Sequence, residues 1–211
     1  MPLQRITTDD QDRAFRPLAG AERTAGVRLK HPIRGRGPAG TARQRVGIPT
    51  AQTDTTMPAS VLELYRRVTR WPAGHWLFSR AVCLKAPYFA SIAPCIEALE
   101  PGRCVASLRH RRSVTNHIGT VHAIALCNLA ELSGGLAIDA SLPPSMRWIP
   151  KGMTVEYLRK AVGTMRAVAT PAQPAIETDA GYELPVDVEI TDPAGEAVFR
   201  ARIRMWISPR R

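Results

Sequence analysis

The sequence predicts an α+β domain in which an antiparallel sheet wraps one long buried helix, and three observations carry that expectation. The stretch from Ile118 to Ile138 is apolar nearly all round, where a surface helix would show a single apolar stripe. Two strand-like runs precede it and four follow it. A helix without a polar side and a sheet with one apolar face each need a partner to bury them, and here each supplies the other. At 211 residues and 45% apolar content the chain can bury one full core, so one domain plus extra sequence is expected.

Taken in order, residues 1–56 are rich in Arg, Gly, Pro, Thr and Gln and keep no period of 3.6 or 2, which reads as a disordered N-terminal extension. The character changes at Met57, which is the expected natural start, with residues 57–211 as the folded domain. From Pro58 to Trp71 the residues Val61, Leu64, Tyr65, Val68 and Trp71 fall at spacings of three and four, with Pro58 and Ser60 suited to a first helical turn. A mixed stretch broken by Pro72, Pro87 and Pro94 follows. Ile96 to Leu99 and Arg103 to Arg112 read as strands across the turn Pro101-Gly102. Beyond the central helix, Met153 to Leu158, Gly163 to Thr170, Leu184 to Thr191 and Ala197 to Ile207 read as strands, the last two joined by the turn Asp192-Pro193-Ala194-Gly195. Arg200, Arg202 and Arg204 share one side of the final strand and are expected on its solvent face.

Charge and cysteines narrow the function classes. The net charge is +11, and residues 1–56 hold +5 of it, with Phe15 as their only aromatic. Without aromatics interleaved among the arginines the base-stacking signature of single-strand binders is absent, so nucleic acid is not the expected partner. Cys83, Cys95, Cys104 and Cys127 form no C-x-x-C pair and nothing at the start resembles a signal peptide, which fits a reduced, cytoplasmic protein with no zinc site. The apolar central run holds His122, Asn128 and Glu131, whose burial in lipid would cost several kcal/mol, so a core helix is expected and no membrane span.

The chemistry centres on that helix. A carboxylate buried there must be paired, hydrogen-bonded or used. His122 and Glu131 are nine positions apart, about half a turn out of phase and about 13 Å apart along the axis, so one chain cannot bring them together. If both serve one site, it lies across a two-fold interface. Asn116 and Gly119-Thr120 lead into the helix and place His122 and Ala123 in its first turn, where free backbone N–H groups and the helix dipole favour an oxyanion. Glu131 would then be nucleophile or general base, with partial burial raising its pKa. The alternatives are local: His122 as a helix cap, Glu131 paired with an arginine or a helix end, and Asn128 hydrogen-bonding Glu131.

Asn116-x5-His122-Ala123 followed by Glu131, within "GTVHAIALCNLAELSGGLA", resembles the motif of hotdog-fold acyl-CoA thioesterases of the PaaI type, and especially a branch similar to the C-terminal domain of YiiD. The segment "TVEYLRKAVG" (154–163) is similar to that family's strand in which an aromatic, a leucine and a basic residue precede a turn. The resemblance covers roughly residues 57–207. It implies a hotdog fold, a homodimer or homotetramer with active sites at the interface, and hydrolysis of an acyl-CoA or acyl-carrier thioester without metal or redox cofactor. By the same resemblance Glu131 matches the catalytic acid supplied by the neighbouring protomer, Asn116 the residue that positions thioester or water, His122 the helix-start histidine, and the Ala123 N–H the oxyanion donor. Two departures stand out: the family often has glycine after the histidine where Ala123 and Ile124 stand, and its commonest acid is aspartate.

Coenzyme A is anionic, and Lys151, Arg159 and Lys160, which flank the 154–163 segment, are the candidates to meet its phosphates, or else ordinary surface charges. A hotdog dehydratase would use a similar histidine and acid, but no histidine-phenylalanine-proline segment precedes the helix. A non-catalytic acyl-binding protein, with Glu131 structural, is the remaining alternative.

Overall fold

A computed structural model describes residues 60–210; the extension expected over residues 1–56 and the start expected at Met57 lie outside the described residues. Helix α1 (Val61–Val68) begins at a reciprocal cap. The Glu63 N–H donates to Ser60 Oγ at 3.1 Å and the Ser60 N–H donates back to Glu63 Oε2 at 3.0 Å, satisfying two otherwise orphaned donors. The helix stops short of Trp71, which is exposed and not part of the buried stripe. Its buried residue is Tyr65, whose hydroxyl donates to the Glu97 carbonyl at 3.1 Å and so ties the helix to the sheet.

Helix α2 (Gly74–Lys85) occupies the stretch that the sequence left unassigned. Trp76, Leu77 and Leu84 are exposed while Phe78 and Cys83 are buried, so apolar residues lie on both sides and no stripe marks the helix in the sequence. The tight corner before it depends on Gly74, where a Cβ would fall 2.3 Å from the Val68 carbonyl oxygen.

The sheet has six antiparallel strands in the order β1 (Cys95–Glu100), β2 (Arg103–Leu108), β4 (Met165–Pro171), β5 (Tyr182–Thr191), β6 (Ala197–Pro209) and β3 (Met146–Tyr157). Alternation is complete on β5, where Leu184, Val186, Val188 and Ile190 are buried. On the outer face Arg200 and Arg202 of β6 pair with Glu189 and Asp187 of β5 at 3.0 and 3.6 Å, the solvent-facing row that the sequence predicted. Strand β3 starts at Met146 instead of Met153. Pro150 and Gly152 mark a bulge inside it, and a proline is tolerated because β3 is an edge strand.

Helix α3 (Ala123–Asp139) lies against the inner face of β2, β4 and β5. Twelve of its 17 residues are buried, which is why its sequence is apolar almost all round. Gly134 and Gly135 let the sheet close on it: a Cβ at Gly134 would stand 2.9 Å from Ile203 Cδ1, and one at Gly135 would stand 2.8 Å from the Trp148 ring.

Candidate active site

The start of α3 is built by a short loop that is bonded on every side. Asn116 Oδ1 accepts from the Ile118 and Thr120 N–H groups at 3.1 Å each, and its Nδ2 donates to Thr120 Oγ1 at 2.8 Å. Gly119 completes the turn at φ +78°, a conformation open to glycine. The Asn116 side chain is thereby engaged in shaping the loop. The Val121 N–H donates to the Ala161 carbonyl at 2.9 Å and the His122 N–H to the Val114 carbonyl at 2.8 Å.

His122 caps α3: the Ile124 N–H donates to its Nδ1 at 3.1 Å. A neutral ring that accepts at Nδ1 carries its proton on Nε2, leaving a donor directed elsewhere. Among the described residues the Ala123 N–H has no acceptor, and no acidic side chain lies in the first turn of α3. A free donor at a helix N-terminus is suited to a developing oxyanion.

Glu131 is exposed in the protomer, which overturns the expected partial burial. Ile124, Cys127 and Glu131, at spacings of three and four, form the one strip of α3 that the sheet leaves uncovered. Neither an arginine nor a helix end takes up the carboxylate among the described residues. Glu131 stands at an apolar cavity of about 260 Å³ lined by Val82, Phe89, Leu132, Leu136 and Trp148. Asp139 and Lys85 line the same cavity. Trp148 Nε1–H donates to Asp139 Oδ1 at 2.6 Å, and burial nonetheless pushes the Asp139 carboxyl up.

Asn128 does not bond Glu131. It turns to Ser91 instead, buried to 5% exposure, where Nδ2 donates to Ser91 Oγ at 3.1 Å and Oδ1 has no partner. Asn128, Ser91, Thr115 and His122 line a second cavity of about 200 Å³, far more polar in its walls than the first. His122 and Glu131 therefore line separate cavities within one protomer, in keeping with their phase on the helix.

The basic residues divide. Arg159 and Lys160 immediately precede Ala161, whose carbonyl holds Val121, so both stand beside the start of α3. Arg159 pairs with Glu196 at 2.9 Å; Lys160 is exposed and makes no ion pair among the described residues. Lys151 is elsewhere along β3, its ammonium 3.6 Å above the Trp206 ring. Two partners escaped the sequence reading. Trp148 lies upstream of Met153, where the strand was expected to begin, and Tyr157, noted only as an aromatic, meets Cys127 Sγ at 3.2 Å. Burial first and Cys127 second hold the Tyr157 hydroxyl up at about 12, so it stays neutral.

Residues 74–207 match the family described as a domain of unknown function, DUF4442. The chain belongs to this family. A crystal structure described as genomics APC5556 is 44% identical, with 72% of this chain and all of that chain covered and a TM-score of 0.62. A Pseudomonas aeruginosa protein of unknown function, PA5026, described as a probable thioesterase, is 24% identical over 66% of this DUF4442 chain and 97% of its own, with a TM-score of 0.56. The thioesterase HI1161 from Haemophilus influenzae is 17% identical over 61% and 87%, with a TM-score of 0.54. These likenesses show the hotdog fold, as the motif around His122 and Glu131 implied. No curated protein matches the chain significantly.

Proposed function

We propose that this DUF4442 protein hydrolyses an acyl-CoA or acyl-carrier thioester at a site shared by two copies of the chain. The observation that carries the reading is the division of labour along α3. A carboxylate without an ion pair among the described residues, Glu131, is offered outward beside an apolar cavity, while a free Ala123 N–H and the capping His122 stand at the helix start beside a more polar one. About 13 Å of helix and half a turn separate the two groups, so a two-fold arrangement is what would bring one copy's acid to the other's helix start.

Strand β3 supports that arrangement. It is a 12-residue edge with a row of unpaired backbone groups, and Ile149 and Tyr157 along it are exposed. Folded proteins cover such edges or blunt them with bulges and prolines like those at Pro150–Gly152, and a second copy would cover the rest of this one. In the proposed reaction the acyl chain lies in the apolar cavity and the carbonyl oxygen receives the Ala123 N–H. Glu131 acts on water or on the carbonyl carbon, and Lys160 with Arg159 meets the phosphates of coenzyme A. Lys151, held on Trp206, has at most a remote part in this.

The test is thiol release from short, long and aromatic acyl-CoAs by the parent and by Glu131→Gln. Because Glu131 is exposed, the substitution is expected to leave stability within about 0.5 kcal/mol while lowering turnover by about 10²- to 10⁴-fold. Equal rates from both would remove Glu131 from the mechanism. Binding of acyl-CoA with no turnover by the parent would make the protein a carrier or sensor.

A further inference from the structure

The two asparagines of the site differ in what they have left to give. Asn116 uses both of its amide atoms inside its own loop: two N–H groups donate to its oxygen and its nitrogen donates to Thr120. Asn128 is 95% withdrawn from solvent at 5% exposure, is tied by one bond to Ser91, and keeps an amide oxygen without a partner. It is the one buried side chain with an unmet polar atom among the described residues. Buried polar groups are nearly always partnered, so an orphan of this kind asks for an occupant. Turning the amide over would pair its oxygen with the Ser91 hydroxyl and orphan its nitrogen instead, so the side chain is one hydrogen bond short in either orientation.

The surroundings say what the occupant is. Asn128 lines the cavity of about 200 Å³ that also holds His122, next to the free Ala123 N–H. The cavity mixes polar and apolar walls, opens at the start of α3 and has room for ordered water beside Ser91, Thr115, His122 and Asn128.

We infer that Asn128, and not Asn116, positions the water that attacks the thioester. The inference rests on the proposed hydrolysis and assigns Glu131 of the second copy the part of general base. The water donates one hydrogen to Asn128 and the other to the Glu131 carboxylate. As its oxygen bonds to the carbonyl carbon, that second proton passes to Glu131, and negative charge collects on the oxygen facing the Ala123 N–H. Collapse breaks the C–S bond. The sulfur leaves with the bonding pair and takes the proton from Glu131, giving the free acid, the free thiol and the carboxylate restored. An amide cannot accept the proton, so Asn128 is a positioning residue.

The experiment uses the full chain and the acyl-CoA that the parent turns over best. Asn128→Leu, close in size but without polar atoms, is expected to lower kcat by about 10²-fold with KM within about twofold. Ser91→Ala, which removes the tie to Asn128 and leaves its oxygen, should lower kcat less. The decisive readout is product partition in hydroxylamine, after subtraction of the uncatalysed reaction. A stronger nucleophile depends less on being held, so Asn128→Leu should raise the ratio of hydroxamate to free acid, and Asn128→Asp, which keeps an acceptor, should return it toward the parent value. Should the leucine variant fail to fold, Asn128→Ala is scored in the same way. An unchanged ratio, or a rise in KM alone, in an otherwise active enzyme overturns the assignment of Asn128 and leaves thioester hydrolysis standing. A parent that releases no thiol from any acyl-CoA overturns both.

Discussion

Gly135→Ala tests how α3 and β3 are fitted together. A glycine in the middle of a helix is disfavoured relative to alanine by about 1 kcal/mol, so the substitution would stabilise an unencumbered helix. Here the added methyl would stand 2.8 Å from Cη2 of Trp148 and 3.1 Å from its Cζ2, and an indole ring, unlike the tip of an aliphatic chain, cannot bend away. Overpacking of this kind costs about 1 to 3 kcal/mol. Swinging the ring aside also strains the bond from Trp148 Nε1–H to Asp139 at 2.6 Å, a bond to a carboxylate and so worth about 1.5 kcal/mol at the low end of its class. Set against the gain in helix propensity, the net loss is about 1.5 to 3.5 kcal/mol, which lowers the melting temperature by about 3 to 14 °C in a domain of this size. Gly134→Ala is the internal control. Its methyl would meet the Cδ1 end of Ile203 at 2.9 Å, a flexible tip, so the change should stay near neutral. Denaturant unfolding of both variants, repeated in a Trp148→Leu background, measures the coupling. Stabilisation by Gly135→Ala in the parent, or an equal cost with the indole removed, would refute the reasoning.

Two further outcomes follow from the same structure. Asp139 has its carboxyl pushed up by burial. A group whose folded pKa lies above its unfolded one favours folding below the unfolded pKa and loses that contribution as pH rises through the folded pKa. Asp139→Asn, which can still accept from Trp148, should therefore gain on the parent as pH rises from 4 to 7 in thermal melts, and a constant difference would exclude the titration of Asp139 as its source. Cys104 is fully buried and its thiol is pushed up to about 12. Thiol-reactive dyes should label half-buried Cys95 in the native protein while Cys104 reacts only on unfolding, as mass mapping of labelled peptides would record; native labelling of Cys104 would contradict its place in the core.

The sequence by itself determined the class of fold and the order of its elements, because each is a matter of period. The alternation of Leu184, Val186, Val188 and Ile190 places one face of β5 inward at any register that buries it. The unbroken apolar character of α3 requires a sheet around it. Helical phase by itself also holds His122 and Glu131 apart within one chain. What period cannot convey is the direction from which burial comes. Helix α2 carries apolar residues on both its buried and its exposed side, and β3 continues through Pro150 because it lies at an edge, a fact about sheet order and not about its own residues. The same limit governed the site. Glu131 and Ile124 are exposed and Cys127 half-buried because no distant segment packs over that strip of α3. Asn128 faces Ser91 because the turn Pro87–Ser91 returns to α3 from 37 residues away in the chain. Local sequence gave those side chains a helix; only the packing of distant segments decided which of them met solvent, a cavity or a partner.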